Sequence, residues 1–231
     1  MKERFNKLKQ VWNQYGKTEP HWSVLTNPKY TPSEINKNIN EFYQSGERNI
    51  KQVESILQKH NHTLTDKIIL DFGCGVGRLT KACLQYSNEV YGIDISESHL
   101  EIAKKNASKA KYFSSSSSIK LPQLPNNPEV IISLIVLQHI PTKLMKQQII
   151  SLLNVLKSKG VAVLHIPFIC DPSVINYENA MEMYSLPVSY VEYLVVKSKC
   201  AILEKIPSNV ARDADAPREK CPGFLYLIKK I

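Results

Sequence analysis

Two aspartates and three glycines between residues 71 and 94 are the side chains best spaced to act together. Asp71 is followed by Gly73, Gly75 and Gly77 at every second position, and then by Arg78. A second acid, Asp94, closes the next apolar run, Glu89-Val90-Tyr91-Gly92-Ile93. Alternate glycines let the backbone come into contact with a ligand that a Cβ would hold away. A carboxylate at the end of the following strand can accept both hydroxyls of a ribose. Two histidines, His139 and His165, follow or end later apolar runs. Imidazole titrates near neutrality, at about 6.5 when unperturbed, so either could take a proton from a substrate.

The elements that must position these groups can be read from their flanks. Ile68 to Leu70 is a short apolar run of the kind that forms a strand buried on both faces. Arg78 opens a helical stretch with Leu79, Ala82, Cys83 and Tyr86 on one side. Strand, glycine turn, helix and strand make a β-α-β unit. The dinucleotide fingerprint G-x-G-x-x-G would need its third glycine where Arg78 stands, and it has no acid directly before the loop. A nicotinamide or flavin site, or a tight turn in some other α/β protein, remains an alternative at this point.

Asp71-x-Gly73-x-Gly75-x-Gly77, with a second acid at Asp94, resembles motifs I and II of the class I S-adenosylmethionine-dependent methyltransferases. The string Val136-Leu137-Gln138-His139-Ile140-Pro141 resembles the segment after the fourth strand in many of their small-molecule members. The resemblance implies S-adenosylmethionine as cofactor. It would be held by Asp71, Gly73, Cys74 and Gly75 at the loop, with Asp94 on the ribose and Ile95 against the adenine. Ser133 and Leu134, at the end of the fourth strand, would complete the site. Relatives often place an aspartate on the adenine amino group; here that position falls near Ser117. Arg78 is open between pairing with the cofactor's carboxylate and standing as a solvated charge. Cys74 needs only to be small, and no redox role is assigned to it.

The fold expected is α/β, a Rossmann-like, seven-stranded, mostly parallel sheet with helices on both faces and an N-terminal helical cap. The cap spans 1–62 and the core 63–231, with a substrate-side insertion over 167–186, folded as one unit. Phe5, Leu8, Trp12 and Tyr15 make one apolar stripe on a first helix with a basic opposite face. That helix either docks on the core or lies on a membrane surface. Two further helices are expected, over Glu34 to Tyr43 and Ser45 to His60. A helix capped by Ser96, a third strand at Lys111 to Phe113 and a fourth at Val130 to Ile132 follow. Then come a helix over Thr142 to Lys157, a strand over Val161 to Ile166, a helix over Pro187 to Lys199 and strands over Ala201 to Lys205 and Gly223 to Lys230. The last strand is antiparallel, and residues 207–222 are a loop. In such proteins the N-terminal helices cover the cofactor and build one wall of the substrate pocket, which Trp12, Tyr15, His21 and Trp22 would line.

Composition narrows the field. At 231 residues the chain suits one domain of ordinary size, and no apolar stretch approaches the roughly 18 residues that span a bilayer. The basic, polar first residues lack the apolar core of a signal peptide, so the expected location is cytoplasmic. Five scattered cysteines without a C-x-x-C pair point to reduced thiols, with no metal site. The net charge of +9 suits anionic partners, but the lysines are dispersed and N/D-P-P-Y-type motifs are missing after the fourth strand, which disfavours nucleic acid.

The segments His21-Trp-Ser-Val-Leu25 and Glu41-Phe-Tyr-Gln-Ser-Gly-Glu-Arg-Asn-Ile50, ahead of the glycine-loop domain, resemble those of methyltransferases of surface-glycan and natural-product assembly. This implies a small-molecule acceptor, a carbohydrate or phosphate-bearing hydroxyl, with His139 as first candidate for the base, His165 as second and His21 as third. His60, His62 and His99 read as solvent-facing. N-methylation of an amine, which needs no base, and a non-catalytic cofactor-binding subunit are the alternatives.

Overall fold

The computed structural model describes residues 2–115, 120–169, 183–207 and 222–231. Among these, seven strands form one sheet in the order β3-β2-β1-β4-β5-β7-β6. Packing divides the chain into two compact units, Met1–Ser117 and Ser118–Ile231.

The first unit holds α1 (Lys2–Thr18), α2 (Ile35–Lys59), β1 (Ile69–Phe72), α3 (Arg78–Cys83), β2 (Val90–Asp94), α4 (Glu97–Asn106) and β3 (Lys111–Ser114). β1, β2 and β3 pair in parallel, which sets Leu70 beside Tyr91 and Asp94 beside Ser114. β1 is buried along its whole length, as its apolar run predicts. Ser96 caps α4, its hydroxyl accepting from the His99 amide.

α2 is one helix of 25 residues where the sequence suggests two. Gly46 lies inside this helix although glycine costs roughly 1 kcal/mol in a helix interior. Its missing Cβ is what admits α3: a Cβ on Gly46 would lie 2.4 Å from the Arg78 carbonyl oxygen. Ser45 satisfies its own hydroxyl by donating to the Phe42 carbonyl at 2.6 Å. Farther along, the buried Glu54 carboxylate accepts from Gln58, Thr63 and the Leu64 amide, fastening the chain that leads into β1.

α1 is docked on α4. A Cβ on Gly16 would stand 2.8 Å from His99 Nδ1, so the two helices touch backbone to side chain there. Lys9 pairs with Glu97 at 2.8 Å, and Asn13 Oδ1 accepts from the Ser98 amide. Phe5 is buried, while Leu8, Trp12 and Tyr15 are half-buried.

The second unit holds β4 (Val130–Ser133), α5 (Thr142–Val155), β5 (Val161–Pro167), α6 (Val188–Lys197), β6 (Cys200–Pro207) and β7 (Gly223–Lys230). β4 and β5 are parallel, and β7 runs antiparallel to both β5 and β6, between them. The final antiparallel strand is therefore present, with the limits that the sequence gives it. Lys230 Nζ donates to the Leu153 and Ser198 carbonyls, at 2.8 and 2.9 Å, and so satisfies carbonyls at the C-terminal ends of α5 and α6. The insertion expected at 167–186 and the loop expected at 207–222 lie mostly outside the described residues. No described helix is long and apolar enough to cross a membrane.

Candidate functional site

In the first unit the chain leaves β1 through a loop whose three glycines all have positive φ, +78° at Gly73, +51° at Gly75 and +83° at Gly77. The loop folds onto β2: the amides of Gly73 and Cys74 both donate to the Ile93 carbonyl. The Gly75 amide donates to Asp94 Oδ2 at 2.8 Å, and the Ser96 amide donates to Oδ1 at 2.8 Å. Two backbone donors thus orient the Asp94 carboxylate at the C-terminal end of β2. The side chain stays partly exposed, and each of its oxygens retains a lone pair for a further donor. Ile95, beside it, is half-buried.

Asp71 performs a different task. It is buried, and Thr80 Oγ1 donates to its Oδ2 at 2.6 Å, joining the end of β1 to α3. Burial raises its carboxyl to about 6, against the pull of the Thr80 hydrogen bond and the Arg78 charge. Arg78 is buried too, not solvated; its Nη1 donates to Ser45 at 3.1 Å and to Asn49 at 2.8 Å on α2. Both groups hold the loop's framework. Burial, with Asp94 and Asp71 nearby, pushes the Cys74 thiol up, so it is a neutral thiol at pH 7.

A second layer covers the loop. A Cβ on Gly75 would lie 2.7 Å from Val24 Cγ2, so the turn after α1 sits directly on the glycine backbone. A Cβ on Gly77 would meet Ala103 of α4 at 3.2 Å, so this glycine serves loop-to-helix packing. Trp12, Tyr15 and Trp22 form a chain of tilted rings, 5.9 and 6.2 Å apart, and all three are half-buried. His21 packs edge-on against Phe42 at 5.0 Å. Burial, and then His99, lower its imidazole to about 4, so it is neutral at physiological pH.

His99 is the group that the sequence hides. It is 1% exposed, where the sequence suggests a solvent-facing residue. Its Nδ1 lies 2.8 Å from Ser96 Oγ and its Nε2 2.9 Å from Ser23 Oγ. On the helix wheel it flanks the apolar Leu100-Ala103 face, which alone does not predict burial; Gly16 on α1 closes over it.

In the second unit, Ser133 and Leu134 are buried at the end of β4, and the Ser133 hydroxyl has no hydrogen-bond partner among the described residues. Ile135, next in the chain, has φ +62°, a conformation that β-branched residues rarely adopt and that clusters at functional sites. His139 ends a 3₁₀ turn, Leu137–His139, and is half-buried. Gln138 Nε2 lies 3.1 Å from His139 Nε2, within hydrogen-bond distance. His165 is buried two residues inside the end of β5, opposite Leu225 of β7. Ser117 lies outside the described residues.

The loop and Asp94 have a geometry that fits an S-adenosyl group: an oriented, partly exposed carboxylate beside a glycine turn and a half-buried aliphatic side chain. Residues 69–160 match the family model described as a methyltransferase domain. A ubiquinone biosynthesis O-methyltransferase of Nitrosospira multiformis is 30% identical over 82 residues, 34% of each chain. The chain spans about a third of the length of the first curated relatives it matches. Among solved structures, a magnesium protoporphyrin IX methyltransferase of Synechocystis with bound S-adenosylhomocysteine superposes with a TM-score of 0.68 at 17% identity. That match covers 98% of this chain and 99% of the other. An N-methyltransferase of Bradyrhizobium japonicum, also bound to S-adenosylhomocysteine, gives 0.63 at 13% identity, with 96% and 98% covered. At such identities the likeness is one of fold. Residues 69–160 thus match a methyltransferase domain model, and the chain shares its fold with solved methyltransferases that hold S-adenosylhomocysteine.

Proposed function

We propose that the chain transfers a methyl group from S-adenosylmethionine to a hydroxyl of a small molecule, a sugar or a phosphate-bearing acceptor of surface-glycan or natural-product assembly. The observation that carries the cofactor half is the Asp94 carboxylate, fixed by the Gly75 and Ser96 amides at the end of β2. Asp94 would take the ribose hydroxyls, Ile95 the adenine face, and the backbone of Gly73 to Gly75 the methionine part. Ser133 and Leu134, with the strained Ile135 after them, would contribute from the end of β4. When bound, the sulfonium group supplies an electrophilic methyl and a neutral thioether leaving group.

The chain's remaining work is to hold the acceptor in line and to remove its proton. Alignment alone can be worth roughly 7–11 kcal/mol of barrier. The half-buried rings of Trp12, Tyr15 and Trp22 offer the flat apolar faces on which the C–H side of a sugar packs, and the net charge of +9 suits a phosphate. His139 is the preferred base. Its Nε2 lies 3.1 Å from the Gln138 amide, and in the tautomer that accepts there an acceptor hydroxyl displacing the amide could pass its proton to the same lone pair. His165 is buried within β5 and stands second.

The O-methyltransferase among the curated relatives supports a hydroxyl acceptor; the N-methyltransferase neighbour keeps an amine as the alternative. The test is S-adenosylhomocysteine formation with parallel panels of sugars, nucleotide-linked sugars, phenols and amines. Turnover with hydroxyl acceptors that falls in His139→Ala supports the proposal. Turnover confined to amines, with His139→Ala fully active, overturns it.

A further inference from the structure

We propose that His99 is a positioning residue for the cofactor site, tying the turn that lies over the glycine loop to the helix cap beside Asp94. The proposal rests on the reading of Asp94 and the glycine loop as the S-adenosylmethionine site, and extends it to a side chain outside the glycine loop and the ribose acid.

The contacts make a closed circuit within the first unit. Asp94 Oδ1 accepts from the Ser96 amide, and Ser96 Oγ lies 2.8 Å from His99 Nδ1. His99 Nε2 lies 2.9 Å from Ser23 Oγ, and the next residue, Val24, rests on Gly75. The Gly75 amide returns to Asp94 Oδ2 at 2.8 Å. A displacement of the turn is therefore felt at both oxygens of the ribose acid. The turn also packs on Phe42 and its neighbours, but its backbone hydrogen bonds are local, from the Ser23 amide to Glu19 and the Val24 and Leu25 amides to His21. His99 supplies its long-range side-chain hydrogen bond.

The hydrogen count makes this tie sensitive to protonation. Ser23 Oγ also lies 3.1 Å from the Pro20 carbonyl oxygen, and Ser96 Oγ lies 3.0 Å from that of Trp12. Two hydroxyls and a neutral imidazole bring three hydrogens to these four contacts; an imidazolium brings four. Protonation of His99 therefore adds one donor to a circuit rich in acceptors, which also include Asn13 Oδ1, 3.4 Å from Ser96 Oγ, and the Pro20 backbone beside the ring. Burial lowers the His99 pKa and the Asp94 carboxylate opposes that shift. His21 faces it from the turn as a neutral ring. α1 presents Trp12, Asn13 and Gly16, while the charges of Lys9 and Glu97 are engaged with each other. The change thus falls below the ordinary histidine range.

Both tryptophans of the chain, Trp12 and Trp22, flank the circuit, so intrinsic fluorescence reads it directly. The experiment is stopped-flow dissociation of S-adenosylhomocysteine from the full chain between about pH 5 and pH 8, the span of imidazole titration. Wild type, Ser23→Ala and Ser23→Thr are compared. Wild type should release the ligand about fivefold faster at the upper end, the Boltzmann equivalent of one net hydrogen bond. Ser23→Ala should release it fast at every pH, and Ser23→Thr, which keeps the hydroxyl, should restore the slope. Wild-type rate and slope in Ser23→Ala would overturn the tie. A wild-type protein that binds no S-adenosylhomocysteine would remove the cofactor reading itself, a distinguishable result.

Discussion

The Gly75 amide donates to Asp94 Oδ2 at 2.8 Å, so the glycine loop and the end of β2 form one hydrogen-bonded unit. Asp94 is then a structural residue as well as the proposed ribose ligand. Asp94→Ala leaves the amides of Gly75 and Ser96 without their acceptor, which costs about 1–3 kcal/mol for hydrogen bonds of this kind. Denaturant unfolding without ligand should show that loss. Wild-type stability in the variant would mean that the loop is held by other contacts.

Gly75→Ala combines two penalties. Its φ of +51° costs a residue with a Cβ roughly 1–2 kcal/mol, and the new Cβ meets Val24 Cγ2 at 2.7 Å. Adding Val24→Ala should recover the steric part and leave the backbone part. A double-mutant cycle measures this directly, and strict additivity of the two substitutions would contradict the contact.

Asp71 should set a pH dependence of stability. Its carboxyl is near 3.8 when exposed and about 6 in the fold, so the native state binds the extra proton. The stability this contributes is fully present below pH 4 and is lost as pH rises through about 6, by ~3 kcal/mol in all. Asp71→Asn removes the titration. The difference between variant and wild type should therefore grow from pH 4 to pH 6 and then level off, as followed by thermal unfolding across that range. A constant difference would contradict the buried carboxyl.

His139→Ala should lower turnover on a hydroxyl acceptor by roughly 100- to 10,000-fold while leaving S-adenosylmethionine affinity unchanged. Calorimetry and single-turnover kinetics separate the two effects. A loss of cofactor affinity instead would make His139 a binding residue.

Much of the scaffold was legible because its signals are local. The apolar run before Asp71, the serine at position 96 and the limits of β7 each follow from a few neighbouring residues. The misreadings share one cause, which is tertiary contact. The separation of the helices over Glu34 to Tyr43 and Ser45 to His60 vanishes once α3 is placed against Gly46. Arg78, open in the sequence between a cofactor carboxylate and solvent, is received by Ser45 and Asn49. His99 looks like a surface residue until Gly16 brings α1 over it. The glycines of the loop were legible as glycines, but not their reasons: Gly75 and Gly77 make room for Val24 and Ala103 of the chain itself.

The central claim is that Asp94 and the glycine loop hold S-adenosylmethionine. Isothermal titration of wild type and Asp94→Ala with S-adenosylmethionine, and of wild type with NAD, tests it most directly. The account predicts binding of S-adenosylmethionine alone, weakened in the variant by about 1.5–3 kcal/mol for bonds to a charged acceptor. Equal affinity in wild type and variant, or binding of NAD in its place, would contradict it.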